Sequence, residues 1–336
     1  MARALRLILV GFGTVGQTLA RQLLARHDEI SRRVGRVLVV GVADSRSSAS
    51  NREGVDLAKV IRSKKRTGRV GELGTPEALE LIREVDADVL VELASAGGTD
   101  GEPGLSRIGR ALNSGMHVVS SNKMPLAVAY AFLMGRARGR DLALKYGACV
   151  GGGIPFFEFA DACTAADSIR RIDGVLNATS TYVLTRMEQK GISMDEALAE
   201  AQGLGYAETD PSMDIGGVDA ACKIVILGNH ILGKSFSLKD VKGMDGIAEV
   251  TAARVGATKT RKKKIRMVAT VDTTPRVSLA ELPQTDPLAV DGPVQAAKFQ
   301  CVSSGAKFIG GEGAGGLSTS LAVLRDVLAI GDLERR

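Results

Sequence analysis

The sequence predicts an α/β chain: a doubly wound, mostly parallel sheet first, then a mixed α+β domain. Three observations predict it. Short apolar runs alternate with helix-period stretches from Leu5 to Ser120, a glycine-rich turn joins the first run to the first helix, and the texture changes from Tyr146 onward. A chain of 336 residues is long enough for two cores.

Leu5 to Val10 (LRLILV) is an apolar run suited to a buried parallel strand. Gly11-Phe12-Gly13-Thr14-Val15-Gly16 follows, then a stretch with Leu19, Leu23 and Leu24 at helical spacing. This is G-x-G-x-x-G between a strand and a helix, the setting that gives the pattern its chemistry. Gly11 permits the tight turn, Gly13 lets a pyrophosphate reach the backbone, and Gly16 permits close helix–strand packing. The helix N-terminus supplies amide donors and the positive end of a dipole. A Rossmann-type dinucleotide site is predicted here.

Val37 to Ala43 is the second strand and ends at Asp44. An acid there takes ribose hydroxyls and favours NAD, whereas Arg46, two residues on, is suited to the 2′-phosphate of NADP. The two signals leave the cofactor as NADP or NAD, with a lean to NADP. Val89 to Leu93 and His117 to Ser120 supply further strands, with a helix over Leu105 to Leu112 between them. In such sheets ligands bind beyond the carboxyl ends of the strands. Ser95 and Lys123 fall there, and both are expected beside the cofactor.

The domain change is expected between about Gly135 and Gly147, giving a dinucleotide-binding domain over 1–140, a second domain over 141–308 and a return segment over 309–336. Pro155 opens a helical stretch. Ile169 to Leu176 reads as a strand and Thr179 to Gln189 as a helix, and Ser193 with Glu196 forms a capping box. Strands are expected over Arg266–Val271, Val277–Leu282 and Ala296–Val302. The glycines from Gly310 to Gly316 read as a loop before a closing helix that returns to the first domain.

The richest stretch is Gly203 to Lys223, GLGYAETDPSMDIGGVDAACK. If Gly217 opens a helix, Asp219 and Lys223 lie one turn apart on one face. Spacing alone allows a solvent-exposed ion pair or a binding site whose lysine carries a proton.

Composition excludes several function classes. The chain has no Trp and few aromatics, so it offers no stacking platform for nucleic-acid bases, and it contains no basic recognition helix. The run Lys259 to Arg266 (KTRKKKIR) reads as a solvated loop or strand edge. Four dispersed cysteines and three histidines make no zinc pattern, and free thiols fit a reducing, cytoplasmic setting. No apolar run reaches the roughly 18 residues of a membrane span. The basic and then apolar N-terminus runs into the glycine turn, not into a cleavage site.

Together GFGTVG (11–16), SNKMPLA (121–127), VGGGIP (150–155), GVLNATSTYVLTRM (174–187), the 203–223 stretch and GEGAGG (311–316) make the chain resemble the homoserine dehydrogenases over nearly its whole length. The resemblance implies reversible oxidation of L-homoserine to L-aspartate 4-semialdehyde with NAD(P), in threonine and methionine biosynthesis, by a homodimer. By position, Lys223 looks like the acid/base and Lys123 its assistant beside the nicotinamide. Glu208 and Asp219 look like anchors for the substrate ammonium and nearby polar groups, with Thr179, Tyr206 and Asp214 lining the pocket. Gly205 and Gly313 would lie against the cofactor. Relatives often carry a glutamate where this chain has Gly147, and with carbonyls matching Val150, Gly152 and Ile154 it can hold a monovalent cation. Here a cation would have the carbonyls alone. The chain ends soon after its last helix, so the resemblance predicts no feedback by threonine through a C-terminal regulatory domain. The rival readings are a dinucleotide-sensing regulator without catalysis and an aldehyde dehydrogenase using Cys149. The first has no need of two lysines, and the second needs a cysteine motif that this chain lacks.

Overall fold

Leu5–Val10 (β1) is a strand because every second side chain, and most of those between, has apolar neighbours on both faces of the sheet. The computed structural model describes residues 4–72, 75, 77–95 and 98–335. In chain order β1 is followed by the helices Thr14–Ala25 (α1) and His27–Val34 (α2), strands Val37–Ala43 (β2) and Ser48–Ser50 (β3), and helices Leu57–Thr67 (α3) and Ala78–Glu84 (α4). Val89–Glu92 (β4), Gly104–Asn113 (α5), His117–Ser120 (β5), Lys123–Arg138 (α6) and Leu144–Lys145 (β6) complete the series. The sheet order is β3-β2-β1-β4-β5-β6, all parallel except β3, which runs antiparallel to β2. The strand order reverses direction at β1, between β2 and β4. This is the switch point where a doubly wound sheet opens a ligand crevice.

The chain divides into two compact units, Met1–Gly153 with Gly315–Arg336, and Ile154–Ala314. The second holds helices Phe156–Thr164 (α7), Ala178–Lys190 (α8), Met194–Gly203 (α9), Ser212–Ile215 (α10), Val218–Ile231 (α11) and Ala252–Thr260 (α12). Its strands are Ile169–Val175 (β7), Lys263–Val271 (β8), Arg276–Pro283 (β9), Gln295–Cys301 (β10) and Ala306–Gly311 (β11). They form an antiparallel sheet in the order β11-β10-β7-β8-β9. Helix α11 packs on β7 and β8 and buries almost every residue from Asp219 to Asn229, which explains its unbroken apolar run. The capping box at Ser193 and Glu196 is formed on both sides.

The closing helix, Gly316–Leu333 (α13), belongs to the first unit. Its Val323, Leu324, Val327 and Ile330 join Leu5, Leu7 and Leu9 in one core cluster. At ~1.5–3 kcal/mol for each fully buried large apolar side chain, these four residues alone make the helix integral to that core.

Two local expectations are corrected. Gly310 and Gly311 are not loop but the end of β11, paired with Ala296 and Gln295. The basic run 259–266 is not wholly solvated either. Arg266 is fully buried, donating to Val290 O and to Asp291, because β8 is covered on both faces from Ile265 to Val271. No helix among the described residues is long and apolar enough to cross a membrane.

Candidate functional site

In the first unit the glycine turn has the form its sequence requires. Gly11 has φ +95°, and a Cβ there would stand 2.4 Å from Ala94 N. A Cβ on Gly16 would stand 2.3 Å from Gly11 O, so helix and turn are in direct backbone contact. Gly13 stands at the N-cap position of α1, and a Cβ there would meet nothing within 4 Å, which leaves its outer side open. The first turn of α1 carries no acid and its cap makes no side-chain bond. An open, uncapped, acid-free helix N-terminus fits a pyrophosphate. Phe12 is buried, so it offers this face only backbone, while Thr14 is exposed and Val15 half-buried. Ser95 is exposed after β4, and Ala96 and Gly97 of its loop lie outside the described residues. Lys123 is the first residue of α6, with Asn122 at the N-cap position making no side-chain cap bond.

Asp44 has its carboxylate engaged within the unit. Its Oδ1 accepts from the backbone N–H of Arg46 and Ser47, both at 2.8 Å, and from the Ser47 hydroxyl. Its Oδ2 accepts from Lys64 Nζ at 2.7 Å and from Val70 N–H. Burial alone would raise this carboxyl, but the Lys64 ammonium and the Arg46 amide outweigh it and hold it below the usual range. A carboxylate with five internal donors has no capacity left for ribose hydroxyls. Arg46, by contrast, is exposed.

The second unit assembles a polar cluster on the first two turns of α11 and the start of α8. Lys223 Nζ lies 2.7 Å from Asp219 Oδ2, with side chains only 13% and 8% exposed. This is no solvated surface pair. Nζ also donates to Leu176 O at 2.6 Å and Gln295 Oε1 at 3.2 Å. Three acceptors thus meet the three N–H bonds of an ammonium. Asn177 Nδ2 bridges Asp219 Oδ2 at 2.8 Å and Asp214 Oδ1 at 2.6 Å, while its Oδ1 caps α8 by accepting from Ser180 N–H. Asn177 and Gln295 are the members of this cluster that sequence reasoning did not name. An N-cap signal was there for Asn177, one residue before the helix. Nothing local points from Gln295 on β10 to a lysine seventy-two positions away.

Thr179, buried at the head of α8, donates to Tyr206 O at 2.6 Å, and the Tyr206 ring lies 4.9 Å from that of Tyr182. These contacts pin the loop after α9. Gly205, at φ +77°, and Glu208 lie exposed in that loop, and no hydrogen bond draws the Glu208 carboxylate into the Lys223 cluster. Gly313 is buried between β11 and α13.

Gly147 has a structural reason for lacking a side chain. A Cβ there would stand 2.8 Å from the Arg325 guanidinium and 3.1 Å from both Asp326 carboxylate oxygens. Asp326 accepts from Gly147 N–H at 2.7 Å. Val150 and Ile154 are buried, and Ile154 O already accepts from Phe156 N–H. Among the described residues no cluster of three or more His, Cys, Asp and Glu side chains is arranged to hold a metal. Cys149 is buried with its thiol donating to Ser120 O, a poor setting for a nucleophile.

Two family models cover the chain: that of the homoserine dehydrogenase NAD-binding domain matches residues 11–144 and that of homoserine dehydrogenase residues 155–328. A homoserine dehydrogenase of Methanocaldococcus jannaschii is 35% identical over 96% of this chain and 98% of its own. An NAD(+)-dependent homoserine dehydrogenase of Pseudomonas canavaninivorans is 36% identical, covering 97% and 96%. A hyperthermophilic archaeal homoserine dehydrogenase solved in complex with NADPH is 30% identical, with TM-score 0.84 over 97% of each chain.

Proposed function

The chain belongs to the homoserine dehydrogenase family, and from that premise we propose a mechanism for its NAD(P)-dependent interconversion of L-homoserine and L-aspartate 4-semialdehyde, a step of threonine and methionine biosynthesis. The observation that carries the reading is the Lys223 cluster: one lysine held by three acceptors on buried, rigid elements. When bound, the nicotinamide supplies the hydride chemistry at the substrate carbon. The protein's own groups handle the proton. Lys223 gives a proton to the aldehyde oxygen in reduction and takes one from the alcohol in oxidation, with the substrate oxygen replacing Gln295, the longest of its three contacts. Asp219, steadied by Asn177, holds the Nζ in place and with Glu208 offers carboxylates for the substrate ammonium, while Asp214 lines the pocket. Thr179 and Tyr206 fix the loop that carries Glu208. Lys123 serves on the cofactor side at the head of α6, with Ser95, Gly205 and Gly313 as further cofactor contacts.

NADP is the preferred cofactor in this reading. Asp44 is saturated and ion-paired, so it presents no spare acid to a 2′-phosphate, and Arg46 presents an exposed guanidinium. The active form is read as a cytoplasmic homodimer, which light scattering on the purified protein tests. For the reaction, reduced nicotinamide is followed on adding L-homoserine, with NADP+ and NAD+ in parallel. Turnover faster with NADP+ at limiting cofactor is expected, and Arg46→Ala narrows the gap. Folded protein that turns over neither cofactor contradicts the proposal.

A further inference from the structure

A buried carboxylate stands behind the dinucleotide crest with no part in the chemistry above. Glu92 ends β4 and is fully buried. Its Oε1 accepts from Ala94 N–H at 3.1 Å and lies 3.6 Å from Arg107 Nη1 of α5, while Oε2 is buried without a hydrogen-bond partner. The Asn122 amide stands close enough to favour its charged form. The Glu92 backbone carbonyl accepts from Ser121 N–H at 3.0 Å.

Apart from that with Arg107, each of these contacts reaches a segment expected at the cofactor. Leu93 and Ala94 are the backbone against which Gly11 is pressed. Ser95 follows directly, and Asn122 immediately precedes the helix that opens with Lys123. One side chain therefore meets the supports of the glycine turn, the loop after β4 and the start of α6.

We propose that Glu92 is a positioning residue for the dinucleotide site: as a carboxylate it draws these three segments together, and when it is neutral they slacken and dinucleotide binds more weakly. The inference rests on the dinucleotide reading above. Burial pushes the Glu92 carboxyl up to about 7, with Arg107, the Ala94 amide and Asn122 pulling it part of the way back. Around it stand Arg107 from α5 and Asn122 before α6, with Lys123 next in the chain. Its partners on β1 and β5, Val10 and Ser120, are uncharged. The switch between the two forms thus falls near neutral pH.

The stability linkage has a definite sign. The folded-state value lies above that of an unfolded glutamate, so the native state holds this proton more tightly. The group's contribution is most favourable below the unfolded value and is lost as pH rises through about 7. A carboxylate that costs stability where it is charged, yet sits behind a ligand site, is the pattern of a functional group.

The test measures NADPH affinity by the fluorescence of its reduced nicotinamide, from mildly acidic to mildly alkaline pH, in wild type, Glu92→Gln and Arg107→Met. In wild type the Kd is expected to tighten as pH rises through neutrality. In Glu92→Gln it stays at the weak, low-pH level, apart from the slope that the 2′-phosphate contributes to every variant. In Arg107→Met the midpoint moves to higher pH, because the cation that favours the carboxylate is gone. Thermal melts give a second readout: Glu92→Gln raises Tm more at alkaline than at acidic pH. A Glu92→Gln protein with the wild-type pH profile, or with wild-type affinity at alkaline pH, overturns the proposal. Should Glu92→Gln fail to fold, an unshifted midpoint in Arg107→Met overturns it instead. Absence of NADPH binding in wild type at every pH overturns the dinucleotide reading itself.

Discussion

The two candidate sites of this chain are built on opposite plans. The dinucleotide crest of the first unit is mainly backbone: an uncapped helix end, a glycine turn pressed against Ala94, and side chains such as Phe12 turned into the core. The Lys223 cluster of the second unit is mainly side chain, with Asp219, Asn177, Asp214 and Gln295 bonded in a network about one nitrogen. A backbone site tolerates exchange of most side chains but no added Cβ at its glycines. A side-chain network tolerates changes of bulk nearby but not the loss of one polar partner. The difference yields separable failures, one of binding and one of chemistry.

The largest expected effect lies in the chemistry. Lys223→Ala removes the proton carrier and lowers kcat by ~10²–10⁴-fold. Steady-state assays with saturating NADP+ and L-homoserine measure it, and a drop in dinucleotide affinity of the same size would break the comparison. Gly16→Ala comes next and strikes the other plan. A Cβ 2.3 Å from Gly11 O forces the helix off the turn, at a cost of ~1–3 kcal/mol typical of overpacking. It should weaken NADPH binding in direct titration while the Lys223 cluster stays intact.

Asn177→Ala sharpens the contrast further. It leaves two neighbouring carboxylates without their shared donor and α8 without its cap. A loss of ~1–3 kcal/mol in transition-state stabilisation is expected, read as kcat/KM for L-homoserine, with NADPH affinity unchanged. Gln295→Ala should be the mildest. It removes one neutral acceptor that substrate displaces in any case, a change of ~0.5–1.5 kcal/mol at most.

The two plans also explain what could be read in advance. The crest was legible because backbone sites constrain local sequence: GFGTVG follows LRLILV directly, and both elements form where they were expected. The Asp219–Lys223 pair was legible because helix geometry sets its spacing. Its burial and its partners were not, since Leu176 and Asn177 come from the link between β7 and α8 and Gln295 from β10, brought together only by the packing of α11 on the sheet. The contacts of Asp44 were hidden for a similar reason. Position after β2 marks it as a ribose ligand, but Lys64 of α3 and Val70 N–H claim its carboxylate from elsewhere in the unit. The run KTRKKKIR looks solvated in sequence, and only the cover over both faces of β8 reveals that Arg266 is buried.

The most direct test of this separation is a paired measurement on Lys223→Met: NADPH affinity by titration and turnover of L-homoserine, on one preparation. The account predicts NADPH affinity equal to wild type with turnover lowered ~10²–10⁴-fold. Substantial turnover in this variant would remove Lys223 from the proton path, and loss of NADPH binding together with turnover would show that the two sites are not separable.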